Sequence, residues 1–501
     1  MNLLVNSSNA KRTTNRAFTN RGLKKTAALC ALMLLGGCGI PKLRGPVAPS
    51  STLPDHFDGS VNLTNGTPTA ENSSYVGWRV FYDDPILVGL IDQAIMGNQE
   101  LKILGEEVAI AYNEIQARQG EYLPFVSFGS RAGLEKSSRF SRNGAVEEFV
   151  PFREGQSLPD PYPEFMVAAN VRWELDIWKK LRNAKNAAAL RYLGTQEGRN
   201  YVITRLVAEV TESYYELLAL DARMDVLDAT IQIQEQSLEF AQAMKDAARG
   251  TELAVQRFTA EVAKNKSEKF IIQQDIIETE NHINFLLGRF PQPVERMKPD
   301  YLELNLHALN VGIPAQLLQN RPDIREAERE LEAAGLDVKV ARARFYPSIA
   351  LTADVGYLAF NAKYLFSSPD SLIYNVAGDL VAPLINKKAI KADYMNANAR
   401  QLQAVYDYQQ TILMAFTEVI NRVSKAENYA QSIEIKKQQL AALDSSVENA
   451  TNLFQNARAE YVEVLLAQRD MMEARMVLIE TKKEQLSAIV NAYQALGGGG
   501  F

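Results

Sequence analysis

The sequence predicts an α+β membrane protein, in which a small amount of membrane-type β-sheet joins very long helices and the whole unit is duplicated. Three observations carry this. The 19 prolines leave two gaps, residues 164–290 and everything after Pro383, of 127 and 118 residues. Four short segments alternate apolar and polar residues with period two. The chain can also be laid over itself, at a shift of 223 residues early and 209 later.

Composition sets the outer bounds. The chain has 501 residues, 47% hydrophobic and 23% charged, which is ordinary for a folded protein. A net charge of −6 argues against a nucleic-acid partner. Three scattered histidines (His56, His282, His307) and two cysteines argue against a zinc or iron–sulfur enzyme. The sequence shows no phosphate-binding glycine loop followed by Lys-Ser/Thr and no serine nucleophile elbow, so no enzyme is expected.

The N-terminus reads as an address. Residues 1–37 hold six basic side chains (Lys11, Arg12, Arg16, Arg21, Lys24, Lys25) and no acidic one. The apolar run Thr26 to Leu35 is too short to span a bilayer and suits a signal-peptide core. It ends in Leu35-Gly36-Gly37-Cys38, which resembles a lipobox whose cysteine accepts a diacylglycerol. Cleavage there removes the six basic residues and Cys30, leaving 48 basic against 60 acidic residues and a single cysteine. Stability then rests on packing without an internal disulfide. Gly39, where an aspartate is absent, points to sorting to the outer membrane. Residues 38–84, rich in Pro, Gly, Ser, Thr and Asn, read as a lipidated tether.

The proline-free stretches read as helices at about 181–246 and 388–455, each near 100 Å at about 1.5 Å per residue. Each stretch breaks once. Ala248-Arg249-Gly250-Thr251-Glu252 puts a glycine at a helix end, with Thr251 placed to cap the next helix. Ala457-Arg458-Ala459-Glu460 is the matching break without glycine. Beyond it, Leu465, Met472, Met476, Ile479, Leu486, Val490 and Tyr493 form one apolar stripe. Val464, Ala467, Met471, Ala474 and Leu478 form a second, so this helix is expected to have a partner on each side.

The repeat places Asn98 to Pro124 over Arg321 to Pro347, and Leu287-Gly288 over Leu496-Gly497. Strands are expected at about 124–135, 164–177, 347–358 and 371–384. Phe165, Val167, Ala169, Val171, Trp173, Leu175 and Ile177 line one face of the second. Such alternation fits a strand between lipid and water, and a soluble sandwich equally. Counting discriminates better. Membrane barrels need about eight strands, and an open sheet edge in lipid leaves backbone groups unpaired. Four strands per chain therefore require several chains to share one barrel, and three chains would supply twelve strands.

Ile313-Pro314-Ala315-Gln316-Leu317-Leu318, then Arg321-Pro322-Asp323-Ile324 and Ala327-Glu328-Arg329, resemble the signature of the TolC/OprM-like outer-membrane factors, the outer-membrane efflux proteins. Trp78, Phe81, Asp84-Pro85, Leu87, Leu90-Ile91, Asn98 and Leu101 resemble the opening motif of their lipoprotein branch, and so does the terminal Ala495-Leu496-Gly497-Gly498-Gly499. The resemblance covers about 75–497. It implies a homotrimer in which a 12-stranded β-barrel continues into a long periplasmic α-helical barrel. It further implies a periplasmic adaptor protein and an inner-membrane RND-type pump as partners, outer-membrane lipid around the barrel, and passive exit of small molecules.

On this reading the chain divides into a signal peptide (1–37), the tether (38–84), a first repeat (85–288), an equatorial linker (289–312), a second repeat (313–497) and a short tail (498–501). The resemblance places the periplasmic tip, where adaptors dock, at Arg249, Gly250 and Thr251 and at Arg458, Ala459 and Glu460. Glu463 matches the first of two acidic pore-gate positions; Leu466 stands where the second acid often occurs. No cofactor is expected beyond the covalent lipid on Cys38. Two other readings are a duct for type I protein secretion and a periplasmic coiled-coil lipoprotein scaffold with no pore. Cys38→Ser is expected to abolish acyl labelling and weaken membrane association without dissolving the oligomer; normal labelling of that variant would refute the anchor.

Overall fold

Both halves of the chain share a run of helix, strand, strand, very long helix and shorter helix. The computed structural model describes residues 40–45, 53, 54, 57, 72–153, 155–298, 300–306, 309–456 and 458–500. The expected signal peptide, Cys38, Ala457 and most of the tether lie outside the described residues. The first half holds α1 (Pro85–Gly97), α2 (Gln99–Tyr122), β1 (Phe125–Glu135), α3 (Arg142–Phe149), β2 (Tyr162–Leu175), α4 (Lys180–Asp246) and α5 (Glu252–Leu286). The second holds α6 (Pro322–Ala343), β3 (Ser348–Ala359), β4 (Leu372–Val381), α7 (Lys388–Gln455) and α8 (Tyr461–Ala495). The long helices α4 and α7 have 67 and 68 residues, and α5 and α8 have 35 each. Among the described residues no helix is long and apolar enough to cross a membrane.

Compactness cuts across the repeat. A sheet unit holds residues 40–45, Ile110–Tyr192 and Arg329–Val405; a helical unit holds the remaining described residues.

In the sheet unit the strands form one antiparallel sheet in the order β1-β2-β3-β4. Its register sorts side chains by row. Val126, Val171, Ala353 and Val376 lie in line across the four strands. The next row is Ser127, Asn170, Asp354 and Asn375, and the one after is Phe128, Ala169, Val355 and Tyr374. Apart from Ser130 one face is apolar, and the other carries the charged groups. The apolar face is bare: Phe128 is 75% exposed, Tyr374 78% and Val376 77%. A soluble sandwich would cover that face with a second layer, so the sandwich reading fails. Among the described residues β1 pairs only with β2 and β4 only with β3, which leaves two open edges.

The strand ends depart from the expected ones for local reasons. β2 stops at Leu175 because Asp176 turns to cap α4, accepting from the backbone N–H of Leu181 and Arg182, both at 3.0 Å. Burial alone would raise the pKa of that carboxyl; the two N–H donors and the Arg182 guanidinium outweigh it and hold it low. β4 stops at Val381, two residues before Pro383, which has no N–H for the ladder. The segment between β1 and β2 contains α3, which Ser141 caps at Gly144 N.

The helical unit corrects the extent of the tether. Residues 72–84 are part of the core, because Trp78, Phe81 and Tyr82 are buried. Phe81 stacks on Tyr493 with ring centroids 4.0 Å apart, and Tyr493 Oη donates to Val76 O at 2.5 Å. Asp84 caps α1 at Ile86 N and Leu87 N and accepts from Tyr214 Oη at 2.8 Å. The linker after α5 packs down through Val294 and Tyr301, and Arg296 bridges Asp221 on α4 and Glu280 on α5, each at 2.6 Å.

The two stripes on α8 meet two neighbours. Toward α4, Ser487 donates to Glu212 and Lys483 pairs with Glu216 at 2.9 Å. Toward α7, Arg475 meets Asp444 at 2.8 Å and Glu484 meets Lys425 at 2.5 Å. Met472 and Met476 fill the seam against Leu220, Leu227 and Ile272.

The duplication is visible in single hydrogen bonds. Asn98 Nδ2 donates to Leu286 O in the last turn of α5, at 2.9 Å. Its counterpart Arg321 donates through Nη1 to Ala495 O in the last turn of α8, also at 2.9 Å. Gly288 (φ 69°) and Gly497 (φ 93°) close those two helices in the left-handed conformation. A Cβ on Gly288 would lie 2.3 Å from Gly97 O, and one on Gly497 2.6 Å from Asn320 O, so both positions require glycine. Arg321 is 5% exposed and is further held by Asp323 at 2.7 Å and Glu418 at 3.0 Å. Arg321→Met removes the cationic donor from both carboxylates and from the Ala495 carbonyl, leaving Asp323 only the Ile324 N–H. It is expected to cost about 3 kcal/mol, the lower end for a broken buried ion pair because the acids keep some water. A thermal-denaturation midpoint equal to that of the unaltered protein would contradict this.

Candidate functional site

A conduit needs a wall, a membrane-crossing part and a constriction, and the geometry bears on each. The turn between α4 and α5 closes as a Schellman motif: Arg249 N donates to Met244 O at 2.8 Å and Ala248 N to Lys245 O at 2.9 Å. The left-handed residue is Ala248 (φ 59°). Gly250 is needed for a different reason: a Cβ there would lie 2.9 Å from Lys245 N. Thr251 caps α5 by accepting from Ala254 N at 3.2 Å. Lys245 and Glu252 pair across the turn at 2.5 Å, which raises the lysine pKa and lowers that of the glutamate.

The turn between α7 and α8 is built alike, with Arg458 N donating to Leu453 O at 2.8 Å. Ala459 stands where Gly250 does, and Glu460 replaces Thr251 as N-cap without a side-chain bond. Arg249, Gly250, Thr251, Arg458 and Glu460 are exposed, and Ala459 is half-buried. Both turns thus leave charged groups free for a partner.

Glu463 and Leu466 are exposed and three residues apart in the first turns of α8, hence on one helix face. Val464, Ala467 and Met471 on the neighbouring face are buried. The equivalent residues of the first copy are Ala254 and Arg257, and Ala254 is buried, so only the second hairpin presents an acid here.

Sequence reasoning missed a polar layer set into the seams near these turns. Asn265 Nδ2 donates to Gln234 Oε1 at 2.8 Å between α5 and α4. One turn on, Gln468 Nε2 donates to Ser237 Oγ at 3.1 Å between α8 and α4. Gln234, Asn265 and Gln468 are buried, and Gln468 Oε1 finds no partner among the described residues. Their position within otherwise apolar stripes was the available signal. Such a layer fixes register at the cost of interface strength. Among the described residues no group of three or more His, Cys, Asp or Glu is arranged to hold a metal ion.

Comparison with known proteins accounts for this arrangement. Residues 90–289 and 313–498 each match the family described as outer membrane efflux protein, one match per repeat. The cation efflux system protein CusC of Escherichia coli K12 is 27% identical over 477 residues, covering 95% of this chain and 99% of that one. The probable outer membrane lipoprotein SilC of Salmonella typhimurium is 26% identical, covering 95% and 98%. The toluene efflux pump outer membrane protein TtgI of Pseudomonas putida is 27% identical, covering 95% and 98%. The solved structure of CusC superposes with a TM-score of 0.76 at 25% identity, over 92% of this chain and 99% of that one. Four antiparallel strands, long helices and two matched repeats agree, and this chain belongs to the outer membrane efflux protein family as an outer-membrane channel component of efflux pumps.

Proposed function

We propose that three copies of this chain close a single duct through the outer membrane, through which small molecules leave the periplasm without chemical change. The observation that carries this is the sheet with a bare apolar face and two open edges. In lipid those edges are tolerable only when paired, and β1 of one copy can pair with β4 of the next. Three sheets of four strands give twelve, above the minimum of about eight for a membrane barrel. Cys38, with its lipobox, would anchor each copy by a covalent lipid, as the lipoprotein name of SilC supports.

The helix turns then serve as the periplasmic tip. Arg249, Gly250 and Thr251, with Arg458, Ala459 and Glu460, form the face offered to a periplasmic adaptor, through which an RND-type inner-membrane pump delivers cargo. Glu463 and Leu466 of three copies form one carboxylate ring and one aliphatic ring. The first favours cations electrostatically, and the second resists water by narrowing. The relatives are named for cations and toluene at nearly equal identity, so similarity favours a general small-solute duct whose pump selects the cargo.

Planar-bilayer recording tests the duct: discrete conductance steps are expected, and their absence would leave only a scaffold. Glu463→Ala is expected to lower cation preference in the same recordings, and unchanged currents would remove Glu463 from the gate. Paired Arg249→Glu and Arg458→Glu substitutions are expected to abolish capture of the cognate adaptor while conductance persists. Full capture by that double variant would move docking elsewhere.

A further inference from the structure

The antiparallel sheet gathers four helix–strand junctions at one end: α2 enters β1, β2 leaves to α4, α6 enters β3, and β4 leaves to α7. This end is strongly basic. Lys179, Lys185, Arg342, Lys387, Lys388 and Lys391 lie within these junctions, and among the described residues none has a carboxylate within ion-pair distance. Nearby cations that do have acids use them up: Lys180 with Glu174 at 2.6 Å, Arg182 with Asp176 at 3.2 Å, and Arg344 with Asp393 at 2.7 Å. The first turns of α4 and α7 contain no acidic residue.

Beside the free cations lies an apolar rim. Ile177, Trp178, Leu384 and Ile385 are exposed, Ile385 at 90%. Trp178 stacks on Tyr346 at 4.7 Å and donates through Nε1 to Pro347 O at 2.7 Å. These two rings help line a hollow of about 300 Å³ between the strand ends and the helix ends. Ile40 and Leu43 pack on the neighbouring cluster of Ala341, Phe345 and Tyr394, and Asn398 Nδ2 donates to Arg44 O.

Free cations beside exposed apolar and aromatic side chains, at the edge of a lipid-facing sheet, match one chemistry: a phosphate headgroup carrying acyl chains. We propose that this rim is a binding surface for anionic phospholipids of the periplasm-facing leaflet. Lys179 and Lys185 on one side and Lys387, Lys388 and Lys391 on the other hold the phosphodiester, and Trp178, Leu384 and Ile385 lie along the first carbons of the chains. The inference rests on the reading of the sheet as membrane-spanning.

The test uses the purified full-length oligomer in nanodiscs of mixed phosphatidylglycerol and phosphatidylcholine, followed by mass spectrometry of the lipid retained on detergent extraction. The unaltered protein is expected to retain phosphatidylglycerol enriched about fivefold over phosphatidylcholine, the weight of roughly one near-surface lysine. The variant with Lys179, Lys185, Lys387, Lys388 and Lys391 all changed to Gln is expected to fall to parity. Equal enrichment in that variant, or none in the unaltered protein, overturns the proposal. So does loss of the enrichment to excess inorganic phosphate at constant ionic strength, because the site would then hold a free anion. Bilayer conductance of both proteins is recorded in parallel: steps from both show that the duct stands whatever the lipid result, whereas absent steps count against the duct itself.

Discussion

The rest of this structure depends on a sheet that cannot finish itself. Among the described residues both outer edges present a row of backbone N–H and C=O groups with no strand partner, beside an exposed face that includes valine, phenylalanine and tyrosine. In water such a sheet would invite aggregation; in lipid each unpaired group costs several kcal/mol. Both problems disappear when the edges of neighbouring copies pair and lipid takes the apolar face. Association is therefore a condition for the sheet to exist in a bilayer.

The duplication shows what was retained as the two halves diverged. Asn98 and Arg321 share no chemistry beyond donating a hydrogen bond, yet each reaches the carbonyl that the last turn of its hairpin leaves free. The glycines that follow, Gly288 and Gly497, share the left-handed geometry and the close backbone approach. The halves differ at the helix turns. One tip has glycine and a threonine cap, the other alanine and glutamate; one hairpin presents Glu463, the other buries Ala254.

Much of this was legible in the sequence, and the exceptions have physical causes. The strands were readable because a face in lipid tolerates only apolar residues, which keeps the alternation clean. The long helices were readable because proline is excluded from them. Thr251 as a cap followed from local chemistry alone. The packing of Trp78, Phe81 and Tyr82 was hidden by polar surroundings that read as tether, since burial against Tyr493 depends on a residue over 400 positions away. Gly250 marks the helix end in the sequence, but the left-handed turn falls on Ala248, and the glycine avoids a clash with Lys245 N. The polar layer of Gln234, Asn265, Ser237 and Gln468 interrupts the apolar stripes, but which of these side chains pair is fixed only when the helices are side by side.

On the proposed reading the duct works through shape and through pairing of sheet edges between copies. The most direct measurement is the mass of the mature protein extracted in mild detergent, by native mass spectrometry. The account requires a single species of three chains that separates on heating as the shared barrel opens. A stable single chain whose β1 and β4 amide protons already resist exchange would contradict it.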